Sequence, residues 1–228
     1  MIAFKSLFPL LGFAAAFLLT ASYAQAHEED RPLAILAMGD STTAGTPGFL
    51  SPVEFSPHGS GDEKSQYVYW IHQKHPSWTV WNRGVRGQRT DQILWRMKRD
   101  IESHSADIVV LLGGVNDLYQ GYPADFVKKN LQAMYEAAVQ KKMKALACTI
   151  LPFDGSGPDV DKKIRQVNDW IHSYAKEHRL LFCDTHSLLE DPKKPGHLSG
   201  SPDHVHPDVA GYRKMGEAIA ETIEKSIG

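Results

Sequence analysis

Ala34-Ile35-Leu36-Ala37-Met38-Gly39-Asp40-Ser41-Thr42-Thr43-Ala44-Gly45 is the stretch on which the reading of the chain turns. Residues 33–38 are an unbroken apolar run that halts at Gly39. A run of this length predicts a strand buried on both faces of a parallel sheet. Beyond it come one acid, three hydroxyls and a second glycine. In open α/β sheets the reactive crevice lies past the carboxyl ends of the strands, which puts Ser41 at that crevice. The same residues can also make an ordinary strand-to-helix turn, with Asp40 or Ser41 as the helix cap. What favours chemistry is the company Ser41 keeps elsewhere in the chain.

Outward from this stretch, apolar runs and helical patterns alternate. Residues 44–64 are rich in Gly, Pro and Ser and read as a loop over the active site. A helix over 66–74 precedes a strand at 78–81, which ends in Asn82-Arg83-Gly84. Thr90 or Asp91 caps the next helix, whose Ile93, Leu94, Met97 and Ile101 share one face. A strand at 107–112 runs into Gly113-Gly114-Val115-Asn116-Asp117, and Pro123 opens a helix that ends at 140. A strand at 145–151, a helix at 160–177, a strand at 180–183 and a polar loop follow. Pro207 falls in the first turn of the last helix. Such alternation implies βαβ units with right-handed crossovers, and hence a five-stranded, doubly wound parallel sheet.

The 228 residues suit one domain or at most two, and 42% hydrophobic with 23% charged residues describes a globular chain. A net charge of −2 gives no electrostatic reason to expect nucleic acid or an anionic membrane as partner. Lys5, the apolar run 7–19 and Ala24-Gln25-Ala26 predict a signal peptide over residues 1–26, with a single domain over 27–228. The apolar run is short of the ~20 residues a spanning helix needs, so no stable membrane anchor is expected. The protein reads as exported, to the periplasm or beyond. Cys148 and Cys183 read as two buried thiols on neighbouring strands.

Four segments gather at the crevice end of such a sheet: Gly39-Asp40-Ser41-Thr42, Asn82-Arg83-Gly84, Gly114-Val115-Asn116-Asp117 and Asp203-His204-Val205-His206-Pro207. They are what acyl transfer needs. A serine hydroxyl becomes a nucleophile when an adjacent base takes its proton. His206 can be that base, with Asp203 holding its tautomer. The N–H groups of Ser41 and Gly84 and the Asn116 amide can serve as donors to an oxyanion.

In these four blocks the chain resembles the SGNH (GDSL) hydrolases. The resemblance spans residues 39 to 207 and implies a three-layer α/β/α, flavodoxin-like fold with strand order 2-1-3-4-5. It further implies a metal-free and cofactor-free serine esterase. Ser41 would be the nucleophile, Asp203 and His206 the rest of the triad, and Ser41, Gly84 and Asn116 the oxyanion hole. The first block departs from the common pattern at Thr42, where many members carry leucine or isoleucine. The expected substrates are small or medium acyl esters, including lipid-like esters, thioesters and acetylated carbohydrate.

Other readings stand beside this one. Asp203, His204, His206 and Asp208 could form a metal cluster, which leaves Ser41, Gly84 and Asn116 unexplained. His204 rivals His206 as base, but the Asp-x-x-His-Pro spacing selects His206. The fold could also be a non-catalytic carbohydrate-binding or polysaccharide-assembly module, against which the complete triad speaks. Tyr119, Tyr122 and Phe49 are candidates for the substrate pocket. Arg83, Arg86 and Arg89 read as ion-paired surface, Asp40 and Asp117 as braces of their turns, and Trp70, Trp78, Trp81 and Trp95 as core or core edge.

Overall fold

The first strand, β1 (Ala34–Gly39), is buried along its whole length, so both of its faces must be covered. In the computed structural model, residues 31–228 are described except Ser156, and the expected signal peptide lies outside the described residues. After β1 come a one-turn helix α1 (Ser41–Ala44), a small ribbon of β2 (Phe49–Leu50) and β3 (Ser60–Gly61), α2 (Tyr67–Lys74), β4 (Thr79–Gly84) and α3 (Thr90–Ser103). The middle of the chain forms β5 (Ile108–Leu112), α4 (Val115–Tyr119), α5 (Ala124–Gln140), β6 (Lys144–Cys148) and α6 (Pro158–His178). The last part carries β7 (Leu181–Cys183), α7 (Thr185–Leu189), a hairpin of β8 (Glu190–Asp191) and β9 (Lys194–Leu198), and α8 (Val209–Ile227).

The main sheet has the order β4-β1-β5-β6-β7 with all pairs parallel, which is 2-1-3-4-5 for its five strands in chain order. Side-chain alternation along β1 sorts the layers. Leu36 and Met38 join Ile93 and Met97 of α3, Leu131 and Met134 of α5 and Ile164 and Val167 of α6. Ile35 and Ala37 join Tyr67 and Ile71 of α2 and Tyr212, Met215 and Ile219 of α8. The result is a three-layer α/β/α sandwich. Truncating a fully buried side chain such as Leu36 to alanine costs about 2–5 kcal/mol in packings of this kind.

Several boundaries differ from expectation for identifiable reasons. Asn82, Arg83 and Gly84 do not follow the second strand of the sheet; they belong to it, because β4 stays paired with β1 as far as Gly39. The strand expected to reach residue 151 stops at Cys148, since the Asn168 side chain takes over the backbone of Ile150, accepting its N–H at 2.8 Å and donating to its carbonyl at 2.9 Å. Neither Thr90 nor Asp91 caps α3. Arg89 is the cap, with its N–H on Gln92 Oε1, and Thr90 is the first helical residue. Pro207 lies outside α8, whose cap is Asp208, accepting from Gly211 N at 2.7 Å. Cys148 and Cys183 are free, buried and opposite one another on β6 and β7. Among the described residues no helix is long and apolar enough to cross a membrane.

Candidate active site

The site is built at the carboxyl end of β1. At Gly39 a Cβ would overlap the Thr43 hydroxyl and the Leu112 carbonyl, so only glycine lets α1 fold back this closely. Asp40 caps that turn, its Oδ1 accepting Thr42 N–H at 3.0 Å. Burial dominates the Asp40 carboxyl and pushes it up to about 7; the Thr42 bond opposes this and the nearby Asp117 charge adds to it. Ser41 is the first residue of α1 and 7% exposed. Among the described residues its N–H has no partner, as befits the first turn of a helix. Thr42, the departure from the family pattern, is buried, and Thr43 bonds the Tyr67 hydroxyl at 3.1 Å.

The turn before α8 brings His206 to this serine. Asp203 Oδ1 accepts the N–H groups of Val205 at 3.0 Å and His206 at 2.8 Å, and this fixes the turn. Its Oδ2 meets His206 Nδ1 at 2.7 Å, and His206 Nε2 meets Ser41 Oγ at 2.8 Å. An ionised carboxylate only accepts, so Nδ1 carries the ring proton and Nε2 turns its lone pair to the serine hydroxyl. Burial pushes Asp203 up, but the bonds from His206 and Val205 outweigh it and hold the carboxyl below its ordinary value. His206 is 9% exposed. His204 faces outward with φ at 68°, its Nδ1 3.7 Å from Asp154 Oδ2, and Asp208 is occupied as the α8 cap. The four residues weighed as a metal cluster therefore do not converge.

Of the three expected oxyanion donors, Gly84 is placed differently from expectation. The Gly84 N–H is already committed to Asn82 Oδ1 at 2.9 Å. A Cβ at Gly84 would overlap the backbone of Thr43 and Ala44, so this glycine serves close packing of α1 on β4. Gly87, three residues on, has φ at 72°, open space where a Cβ would stand, and an N–H with no partner among the described residues. Asn116 reaches the same turn, its Nδ2 donating to the Gln88 carbonyl at 2.9 Å. That bond uses one of the two amide hydrogens and, among the described residues, leaves the other without a partner. Gly87 was legible as the second glycine of Asn82-Arg83-Gly84-Val85-Arg86-Gly87, the one lying past the strand end.

Asp117 accepts Thr90 N–H at 3.0 Å and Thr90 Oγ1–H at 2.6 Å, joining α4 to the start of α3. Burial pushes its carboxyl up against those bonds. Of the three candidate pocket aromatics, Phe49 is buried under its own loop against Gly59. Tyr119 is exposed and edge-on to Phe153, while Tyr122 lies against Phe126 and beneath the Arg89 guanidinium. Arg83, Arg86 and Arg89 are paired with Asp100, Glu54 and Asp91. Trp95 departs from the expected core position. It is 77% exposed, on the outer side of α3.

The chain is similar to several known proteins. An acetylxylan esterase of Geobacillus stearothermophilus is 27% identical over 158 residues, covering 63% of this chain and 71% of that esterase. The structure of a GDSL-like lipase from Bacteroides thetaiotaomicron matches with a TM-score of 0.68 at 24% identity, over 91% of this chain and 98% of that one. A member of the lipolytic protein G-D-S-L family from Veillonella parvula matches with a TM-score of 0.70 at 22% identity, over 85% and 99%. These two structures share the fold. The profile of the GDSL-like lipase/acylhydrolase family matches residues 37–214, a span that holds all the strand-end loops and the Asp203–His206 turn. The chain belongs to the GDSL-like lipase/acylhydrolase family and is a carboxylic ester hydrolase.

Proposed function

We propose that the protein is an exported serine esterase that removes small acyl groups, acetyl foremost, from carbohydrate. The observation that carries the reading is the unbroken hydrogen-bond chain Ser41 Oγ to His206 Nε2 and His206 Nδ1 to Asp203 Oδ2, at 2.8 and 2.7 Å. His206 takes the Ser41 proton as Oγ attacks the ester carbonyl, and Asp203 supports the imidazolium that forms. The tetrahedral oxyanion is met by the N–H of Ser41, the N–H of Gly87 and the free Asn116 amide hydrogen, with Gly87 replacing Gly84. The imidazolium then gives its proton to the leaving alcohol. Water, activated by the same histidine, releases the acid from the acyl-enzyme.

One comparison favours a short acyl group on a sugar. The acetylxylan esterase relative acts, by its name, on an acetylated polysaccharide. Export rests on the leader-like residues 1–26. The test is hydrolysis of p-nitrophenyl acetate, butyrate and octanoate, and of acetylated xylan, by the wild type and by Ser41→Ala. Acetate should lead octanoate, acetic acid should appear from the polysaccharide, and the variant should fall to background. An octanoate preference refutes the short-acyl assignment, and full activity in Ser41→Ala refutes the nucleophile.

A further inference from the structure

Arg96 is a buried charge that the triad does not use. It sits on the buried face of α3 with 4% of its surface exposed. Burying a guanidinium requires partners for its rigid fork of donors, and here each partner is distinct. Nη1 pairs with Asp100 Oδ2 at 3.1 Å, a buried carboxylate whose other oxygen takes Arg83 Nη2 at 2.7 Å. Nη2 donates to the Gly39 carbonyl at 2.8 Å, two residues before Ser41, and that carbonyl also accepts Val85 N–H at 3.2 Å. Nε donates to Gln88 Oε1 at 2.6 Å. Gln88 follows Gly87 directly, and its own carbonyl accepts from Asn116.

One planar group thus touches both the carbonyl that leads into the nucleophile turn and the residue lying between two oxyanion donors. Fold stability does not require such a device, since a buried ion pair is often replaceable by apolar side chains without loss. We infer that Arg96 and Gln88 are positioning residues for ester hydrolysis, clamping the turn at residues 85–88 in register with Ser41. Neither touches the substrate. The catalytic consequence rests on the proposed triad and oxyanion hole, where a displacement of about 1 Å can lower turnover about 10²-fold.

The test separates the clamp from stability. Gln88→Met keeps the length of the side chain and removes the acceptor, while Gln88→Glu keeps an acceptor. Arg83→Met removes the guanidinium bonded to Asp100 Oδ1 at 2.7 Å, leaves Arg99 Nε 3.9 Å from that oxygen, and leaves both loops untouched. The readouts are kcat and KM on p-nitrophenyl acetate, Tm, and hydrogen exchange at the Val85, Gln88 and Arg89 amides. In Gln88→Met, kcat should drop about 10–100-fold with KM within about threefold, and the three amides should exchange faster. Gln88→Glu should restore most of both. Arg83→Met should lower Tm and keep kcat. Wild-type kcat and unchanged exchange in Gln88→Met would overturn the clamp, as would an equal loss of kcat in Arg83→Met. Faster exchange in Gln88→Met, with a wild type that hydrolyses no ester, would keep the clamp and overturn the esterase reading instead.

Discussion

Asp40→Asn should stabilise the protein at pH 8 and change it little near pH 4. Burial raises the Asp40 carboxyl from its ordinary 3.8 to about 7 in the folded chain. Between those two values the folded chain keeps a proton that the unfolded chain releases, so stability falls as pH rises through the window. The slope is about 1.4 kcal/mol per pH unit, and the loss reaches about 4 kcal/mol above pH 7. Asparagine carries no charge and still offers an oxygen to the Thr42 N–H, so the cap survives. The gap between variant and wild type should therefore open from about 0.5 kcal/mol at pH 4 to about 4 kcal/mol at pH 8. At about 2–4 °C per kcal/mol for a chain of this size, that is a Tm difference of roughly 8–16 °C at pH 8. Thermal unfolding of both proteins at pH 4, 6 and 8 measures it. A Tm gap that does not change with pH, or a variant less stable than wild type at pH 8, would show that Asp40 is ionised and held by partners.

The two glycines of the oxyanion region should part company. Gly84→Ala forces a methyl group into the backbone of Thr43 and Ala44 and should yield little folded protein, whereas Gly87→Ala should fold, with a strain of about 1–2 kcal/mol at its positive φ, and lose turnover. Thermal melts and kcat of the two variants decide this, and a well-folded, inactive Gly84→Ala would return the donor role to Gly84. Asp203→Asn should lower kcat about 10⁴-fold by upsetting the His206 tautomer, with the fold preserved by circular dichroism. Asn116→Ala should cost about 10²–10³ in kcat and leave the acyl-enzyme chemistry intact, which burst kinetics would show.

How much of this was legible in the sequence depends on the range over which each cause acts. Ala34–Gly39 and Ile108–Leu112 declared themselves as strands, because burial on both faces leaves no polar position to confuse the pattern. Alternation with helices implied that the sheet is parallel, while the order of its strands came only with the resemblance to the SGNH (GDSL) hydrolases. Asp203 and His206 were legible as a pair because three residues on one turn suffice to bring them together, and Ser41 because a run of hydroxyls between Gly39 and Gly45 follows the first buried strand. What escaped was set by contacts across the chain. Gly84 and Gly87 are alike as letters. They differ because pairing of β4 with β1 brings Gly84 against the backbone of Thr43 and Ala44, while Gly87 lies past the strand end with its amide unpartnered among the described residues. Phe49 had the composition of a pocket residue and became the floor of its own loop, since the ribbon of β2 and β3 folds it inward over Gly59. Trp95 had the composition of core and stands in solvent because the buried side of α3 is already taken by Ile93, Arg96, Met97 and Asp100. That last exchange, a tryptophan outside and an arginine within, breaks the rule that charge stays at the surface. The break falls where a guanidinium can reach both the end of β1 and the Gln88 turn, so that holding the site together outranks the hydrophobic pattern of the helix.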